Sequence, residues 1–516
     1  MKKIVLYIFL GLLIFSCNTT KNNFTGEVIR NPKYKVTGDV APFPGGGDNR
    51  SANLDYIFNP ETLGVTTLTI TRSEWNILLD YYDQNSRNES YIIGNYEYTK
   101  GDYTWNIDSV GIRLRGNTSR RRPQIDFGSG NDDYVPVHFK VDYEEWRGQD
   151  EDCKLAGCMN GVILKRFKDD PTYVREIYGY NLFRRNGIWT SPRACYTRLL
   201  VNIVDDSSAE KNAVETVNFG IYAMIEEINK QFLKERSEDL SVNQDNCSGG
   251  LFSNNKGDLW KCTWQTRDGA ALVPGKGVMG IEEIYLNESK SKRVDYDLKT
   301  NKDNFSEVRE KFTDWIDELN NLDESNPDEV KSWFLKNMDV DLFLKTYAVN
   351  VILGMWDDYW GNKNNYYLYF DTNGKMYFIP YDYDNILGVS SLGIDGGTQN
   401  PLNWGDLEKG SRPLMQKIFS VPEFVEIYKS YLVELSGPES HFYVTNSKER
   451  INRWQKMIKP YILGSKLSDS RDTSKYFIDE PASWGQTPFY KLLEGDETTN
   501  FFEAKTKAIG IYSSHD

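Results

Sequence analysis

Two aromatic-rich runs, Tyr366-Tyr367-Leu368-Tyr369-Phe370 and Met376-Tyr377-Phe378-Ile379-Pro380, are joined by Asp371-Thr372-Asn373-Gly374. An Asn-Gly step between such runs specifies a β-hairpin. Asp357 and Asn362 precede the first run, and Asp382 and Asp384 follow the second. Antiparallel pairing therefore gathers these acids and amides at the end of the hairpin away from its turn. Groups of this kind can hold a metal-bound phosphate. In phosphoryl transfer one Asp positions the acceptor hydroxyl, while an Asn and a second Asp hold Mg²⁺. Asp357, Asn362 and Asp382 fit those roles in that chain order. Asn365 and Asp384 stand beside them as reserve metal ligands. Asp and Asn are also ordinary turn formers, so spacing alone leaves both readings open.

A triphosphate needs cations or backbone N–H groups to balance its charge. Lys140, Lys165, Lys261 and Lys299 are the candidates. Lys165 follows the apolar strand Val162-Ile163-Leu164, and Lys140 lies in a strand predicted over 135–141. Arg115-Gly116-Asn117-Thr118-Ser119 is a small-residue turn ahead of that strand, suited to covering phosphates or to being a turn only. Glu226 ends the alternating strand Phe219 to Ile225 and is the candidate for orienting one of the lysines. Which lysine it meets is left open, with Lys165 the strongest claimant. A solvated acid at a helix start is the other reading of Glu226. Asp169-Asp170-Pro171-Thr172 reads as a helix start, which makes Arg175 a structural residue near it.

The run Trp356-Asp357-Asp358-Tyr359, Gly361-Asn362, Asn365-Tyr366-Tyr367-Leu368-Tyr369 and Phe378-Ile379-Pro380-Tyr381-Asp382-Tyr383-Asp384 resembles the CotH kinase family, named for a spore-coat protein. The resemblance extends through Ile112-Arg113-Leu114-Arg115-Gly116-Asn117-Thr118-Ser119, Asp170-Pro171 with Arg175, Gly220-Ile221-Tyr222 with Glu226, Asp258-Leu259-Trp260-Lys261 and Tyr296-Asp297-Leu298-Lys299-Thr300, covering residues 63 to 465. It implies an α+β, two-lobed atypical kinase-like fold, with a mixed β/α N-terminal part and a mainly helical C-terminal part. It further implies ATP-dependent transfer of phosphate, with Mg or Mn, to a protein Ser, Thr or Tyr, with Ser/Thr expected. Asp357 resembles the catalytic Asp and Asp382 the metal-binding Asp. Tyr381 stands where the family usually has Trp, Glu176 where Asn is common, and Asn229 where an Asp follows Glu226.

Met1-Lys2-Lys3, the apolar stretch Ile4 to Phe15 and then Ser16-Cys17 resemble a bacterial lipoprotein signal with Cys17 as the lipidated residue. The apolar stretch is too short to span a bilayer. An uncleaved anchor or plain signal peptide is the other reading. The expected organisation is a signal over 1–17, a flexible tether rich in Asn, Gly and Pro over 18–62, a nucleotide-binding part over 63–300, a catalytic part over 301–465 and an extension over 466–516. Helical apolar spacing marks Glu307 to Leu322, Val340 to Leu353 and the tail from Pro413 to Ile462.

The formal net charge of −14 argues against nucleic-acid binding, which needs a basic footprint. With 3 His in the chain, a His-based metal site or a Ser-His hydrolase is disfavoured, and His138 reads as structural. Cys153 with Cys158 and Cys247 with Cys262 are the sequence-near disulfide pairings, with Cys195 left over; reduced thiols are the other reading. The expected partners are a protein acceptor of the cell envelope or surface and a membrane reached through the N-terminal lipid. Because ATP is scarce outside the cytoplasm, the alternative is a non-catalytic cation- or ligand-binding envelope protein on a kinase-like fold. A carbohydrate-active hydrolase is a third reading, as paired carboxylates also cleave glycosides.

Overall fold

The computed structural model describes residues 50–116, 119–126, 132–146, 154–155, 159–168, 170–206, 213–237, 252–284, 294–389, 396–404, 411–462, 492–497 and 499–513. The expected lipidation site Cys17, and Cys153, Cys158 and Cys247, lie outside the described residues. Cys195 and Cys262 are buried free thiols, so the Cys247–Cys262 pairing is not formed.

The strands are β1 (Gly64–Thr71), β2 (Ile92–Lys100), β3 (Tyr103–Arg115), β4 (Gln124–Asp126), β5 (Asp132–Tyr134), β6 (His138–Asp142), β7 (Gly161–Arg166), β8 (Ala194–Val204), β9 (Val214–Glu226), β10 (Asp258–Cys262), β11 (Met279–Gly280), β12 (Tyr296–Leu298), β13 (Tyr366–Phe370) and β14 (Met376–Pro380). The helices are α1 (Arg50–Ile57), α2 (Arg72–Gln84), α3 (Arg175–Arg185), α4 (Lys230–Lys234), α5 (Phe305–Asn321), α6 (Pro327–Asn337), α7 (Val340–Ile352), α8 (Pro413–Phe419), α9 (Pro422–Ser436), α10 (Val444–Ile462) and α11 (Phe501–Ser513). The chain is thus mixed α/β, as expected in that coarse form.

Seven strands close a barrel in the order β1-β2-β3-β6-β7-β9-β8, shut by the parallel pairing of β1 with β8. Alternation along each strand sends residues to opposite faces. Leu68, Ile70, Ile112, Leu114, Phe139, Val141, Val162, Leu164, Tyr222 and Met224 share the barrel's core. Ile163, Ile221, Ala223 and Ile225, one residue out of phase with these, belong to a second core outside it. Closure joins strands far apart in sequence and leaves no open edge.

The second sheet runs β11-β12-β10-β13-β14. Its predicted hairpin forms, with Tyr366 opposite Pro380 and Phe370 opposite Met376. One face packs on helices: Trp260 lies 4.9 Å from Phe312 of α5, and Phe378 lies 5.6 Å from Phe343 of α7. The other carries Lys261, opposite both Asp297 and Tyr367. This sheet crosses the expected boundary at residue 300, because β10–β12 precede that point and β13–β14 follow it. The helical expectations over 307–322, 340–353 and 413–462 correspond to α5, α7 and α8–α10.

The folded part begins inside the stretch expected to be a tether, since Leu54 and Ile57 of α1 and the following Phe58 are buried in the barrel core. The expected C-terminal extension also contributes: Phe502 of α11 packs 5.6 Å from Tyr178 of α3.

Candidate active site

The site forms where the barrel's outer face, α3 and the end of the β13–β14 hairpin meet. Lys165 shares the outer face of β7 with Ile163, and its side chain is only 7% exposed. Its ammonium contacts Glu176 Oε2 at 2.5 Å, Asp384 Oδ2 at 3.0 Å and Asp382 Oδ1. Glu176 stands in the first turn of α3. The oxygens of Glu176, Asp382 and Asp384 lie within 4.8 Å of one another, a spacing that suits a shared metal ion.

Local chemistry places each group. Asp170 accepts the N–H groups of Val174 and Arg175 at 3.0 Å each, satisfying donors at the start of α3. The Arg175 guanidinium also meets Asp170, and its Nε donates to the Ile386 carbonyl at 2.9 Å. Arg175 is therefore structural, as expected, and ties α3 to the loop carrying Asp382 and Asp384. Gly179 permits the approach, because a Cβ there would lie 2.8 Å from the Tyr383 Cβ. Asp382 itself has φ +65, a left-handed conformation that Asp tolerates better than most residues. Its N–H donates to the Tyr180 hydroxyl at 2.9 Å.

Four charges this close cannot all stay ionised as in water. Burial raises the Asp384 carboxyl, Lys165 opposes that, and Asp382 and Glu176 add to it, leaving Asp384 pushed up to about 8. Burial and Asp382 likewise raise Glu176 against the pull of Lys165. Asp382 moves the other way, because Lys165, Arg115 and Lys261 outweigh its burial.

Asp357 sits in a cage of amides. Its Oδ1 accepts from Asn362 Nδ2 at 2.8 Å and Asn364 Nδ2 at 3.2 Å. Its Oδ2 accepts from Asn365 Nδ2 at 3.0 Å and Asn385 Nδ2 at 3.5 Å. Burial raises Asp357 above its ordinary value, with the Asn362 and Asn364 hydrogen bonds opposing and the Asp382 charge adding. Its loop is braced from behind. Asn350 of α7 donates to Asp358 Oδ2 at 2.5 Å and accepts from the Tyr383 hydroxyl at 2.8 Å. Arg412 donates to the carbonyls of Trp360 and Gly361 at 2.9 and 2.6 Å. Gly361 is required, since a Cβ would overlap the Trp356 carbonyl oxygen.

Besides Lys165, Arg115 and Lys261 stand near enough to Asp382 to lower it. Arg115, at the end of β3, donates to the Tyr381 hydroxyl, with its guanidinium carbon 5.7 Å from that ring's centroid. Lys261 Nζ stands 5.6 Å from the same centroid. Lys299 pairs with Asp297. His138, opposite Arg115 in register, is driven well below its usual range by burial and then by Lys165, Arg166 and Arg115. It is a neutral structural residue, as expected.

Two sequence assignments need correction. Glu226 does not meet Lys165: it pairs with Arg236 at 2.6 Å and Arg193 at 3.5 Å. The reason is the pleat. Glu226 lies opposite Val162, an interior residue, while Lys165 lies opposite Ala223 on the outer face. Arg236 and Arg193 overcome burial and hold Glu226 down at about 2. Glu226→Ala is expected to cost about 3–5 kcal/mol by stranding buried guanidinium groups, measured by denaturant unfolding. Lys140 is held by Glu227 at 2.7 Å, apart from the acid cluster, and is a structural ion pair. The reserve ligand Asn365 is held on Asp357 through its nitrogen, as its Nδ2 also donates to the Asp357 carbonyl at 3.0 Å.

Sequence reasoning missed Glu176 as the partner of Lys165, although it stood out as a departure from the family pattern. A Glu in the first turn of the helix that follows the lysine strand was the available signal. Asn364 and Asn385 had no signal beyond local Asn enrichment, and Arg115 was read only as part of a turn.

A strand lysine paired with a helical glutamate, a nearby acid pair and a separate caged Asp are the kinds of group that phosphoryl-transfer sites combine. The family described as CotH kinase protein matches residues 112–482, well over half of the sequence. The chain belongs to the CotH kinase family. No curated protein matches it.

Proposed function

We propose that this chain is an ATP- and Mg-dependent phosphotransferase with a two-lobed atypical kinase-like fold, acting on Ser or Thr of an envelope or surface protein. One observation carries the reading. Asp382, clustered with Asp384 and Glu176, lies within the electrostatic reach of Arg115 and Lys261, joining hard oxygen donors for a cation to positive charge for phosphates. The carboxylate donor set suits Mg²⁺ or Mn²⁺. Asp382 and Asp384 would hold the ion, with the Asn362 side-chain carbonyl as a further donor. When bound, the ion supplies positive charge that neutralises the transferring phosphates.

The remaining roles fall to the chain's own groups. Glu176 orients Lys165 by the 2.5 Å contact, so that Lys165 balances charge on either the acids or a phosphate. Asp357 presents a carboxylate aimed by amides and accepts the hydrogen bond of the acceptor hydroxyl. Membrane tethering through lipid on Cys17 completes the proposal and places the acceptor in the envelope.

The test is label transfer from γ-labelled ATP, with Mg²⁺ or Mn²⁺, to the protein itself and to a generic acceptor protein. The full chain should transfer label and Asp382→Ala should not. Absence of transfer, together with no metal-dependent thermal shift by nucleotide, would move the reading to a cation-binding envelope protein.

A further inference from the structure

We propose that Trp264 and Lys363 form a docking rim for the acceptor, seating an acidic protein segment with one apolar side chain packed on the indole ring. The segment's hydroxyl is then presented to Asp357. The inference deepens the phosphotransferase reading and rests on it for the fate of the docked segment. Trp264 lies in the loop between β10 and β11 and is 48% exposed. A lone surface aromatic is ordinary in a folded protein, but this one is set apart by position, rigidity and charge.

The Trp264 N–H donates to Asn364 Oδ1 at 2.8 Å, and Nδ2 of the same Asn364 donates to Asp357 Oδ1 at 3.2 Å. With one amide group between those two hydrogen bonds, the Trp264 backbone nitrogen lies within about 9 Å of the Asp357 carboxylate. An extended segment advances about 3.3 Å per residue, so a side chain two or three positions from the acceptor hydroxyl reaches the ring.

The loop is held from below. The buried Asp295 carboxylate accepts the N–H groups of Gln265 and Thr266 at 2.9 Å each, that of Val278 at 2.8 Å and the Thr266 hydroxyl at 2.7 Å. Ala270 N–H donates to the Lys363 carbonyl at 3.0 Å and fastens the loop to the asparagine turn around Asp357. Gly269 lets the two segments close, because a Cβ there would lie 2.7 Å from Trp264 Cδ1 and 3.1 Å from Lys363 Cβ. The indole and the base of the Lys363 side chain are therefore neighbours. A platform held this way loses little freedom when a partner binds.

The rim is positive in a chain of net charge −14. Asp268 pairs with Lys276 at 3.3 Å, and among the described residues neither Arg267 nor Lys363 meets a carboxylate at ion-pair distance. Burial, then the charge of Arg412, hold the Lys363 ammonium below the usual lysine range against the pull of Asp268 and Asp295. A carboxylate on the docked segment supplies the missing counter-charge, and the surrounding negative chain steers acidic segments to this rim alone.

The experiment measures label transfer from ATP with Mn²⁺, and binding by fluorescence anisotropy, for a peptide library on the full chain and its Trp264→Ala, Trp264→Phe and Lys363→Gln variants. Each peptide carries one central Ser or Thr, with one neighbouring position at a time fixed as Glu, Phe, Ala or Lys. The native protein should favour Phe at one position and Glu at another. Trp264→Ala should raise the peptide concentration for half-maximal transfer about tenfold or more and erase the Phe preference, while the rate at saturating peptide stays within a few-fold. Trp264→Phe should restore most of the preference, and Lys363→Gln should erase the Glu preference alone. Native selectivity in Trp264→Ala and Lys363→Gln, with transfer intact, overturns the rim and leaves the phosphotransferase reading standing. Peptide binding that depends on Trp264, without label transfer, sustains the rim and sinks the phosphotransferase reading. Neither binding nor transfer overturns both.

Discussion

Asp357→Asn is expected to lower phosphoryl transfer by roughly a thousandfold while divalent-metal and nucleotide affinity stay within a few-fold of native. The carboxylate touches none of the acid cluster. Its oxygens are taken by amide donors from Asn362, Asn364, Asn365 and Asn385. An amide at this position keeps the shape but offers one acceptor oxygen, so part of the cage faces a donor and the acceptor hydroxyl loses its partner. The pH profile supplies an independent readout. Because burial raises Asp357 above its ordinary 3.8 and the ionised form is the active one, transfer should fail on the acid side at a pH above that value. Native metal affinity with a lost acid limb would support the role. A metal affinity that collapses in parallel with transfer would show that Asp357 belongs to the metal site instead.

Lys165→Met should destabilise the fold by about 3–5 kcal/mol at neutral pH, the largest single-residue stability effect expected in the site. The substitution leaves Glu176, Asp382 and Asp384 crowded within 4.8 Å without their shared cation. Adding Glu176→Gln should return part of the loss, a coupling that a double-mutant cycle in denaturant measures. Divalent cations should stabilise the single variant more than the native protein, since they take the place of the ammonium. Equal metal responses would show that Lys165 does not counter the same charges.

The pH dependence of stability follows from two opposite shifts. Asp384 is raised in the folded state from 3.8 to about 8, so the folded chain holds a proton that the unfolded chain has released. Stability therefore falls as pH rises through that window, more steeply in Lys165→Met. Glu226 is depressed from 4.5 to about 2, so its contribution is present above 4.5 and is lost as pH falls toward 2.

Much of the site was legible because its signals are local. The Asn-Gly turn and flanking aromatic runs specified the hairpin, and its antiparallel pairing carried Asp357 and Asp382 to one end without any knowledge of the rest. Lys165 was marked by the apolar strand before it. Glu176 was not legible as its partner, and Glu226 was chosen instead, because both are acids near predicted strand or helix ends. The choice turns on a single step of pleat, Glu226 sharing a face with Val162 while Lys165 shares one with Ala223. The asparagines show the same limit. Asn362 and Asn365 read as metal ligands by residue type, and the structure adds that their side-chain N–H groups are held by Asp357, a contact that residue type does not reveal.

By itself, the sequence determined the elements and their faces: hairpin, apolar strand stripes, helical spacing and the run of residues shared with the CotH kinase family. These depend on periodicity and turn chemistry over a few neighbours. Only the tertiary structure decided the barrel's closure by β1 against β8, the contact of Lys165 with Asp382 across 217 positions of sequence, and the meeting of Arg115 with Lys261 on one ring. Such contacts arise from packing whole sheets and helices against one another. A shift of one residue in register reverses which side chains face the site, and nothing local in the sequence encodes that register.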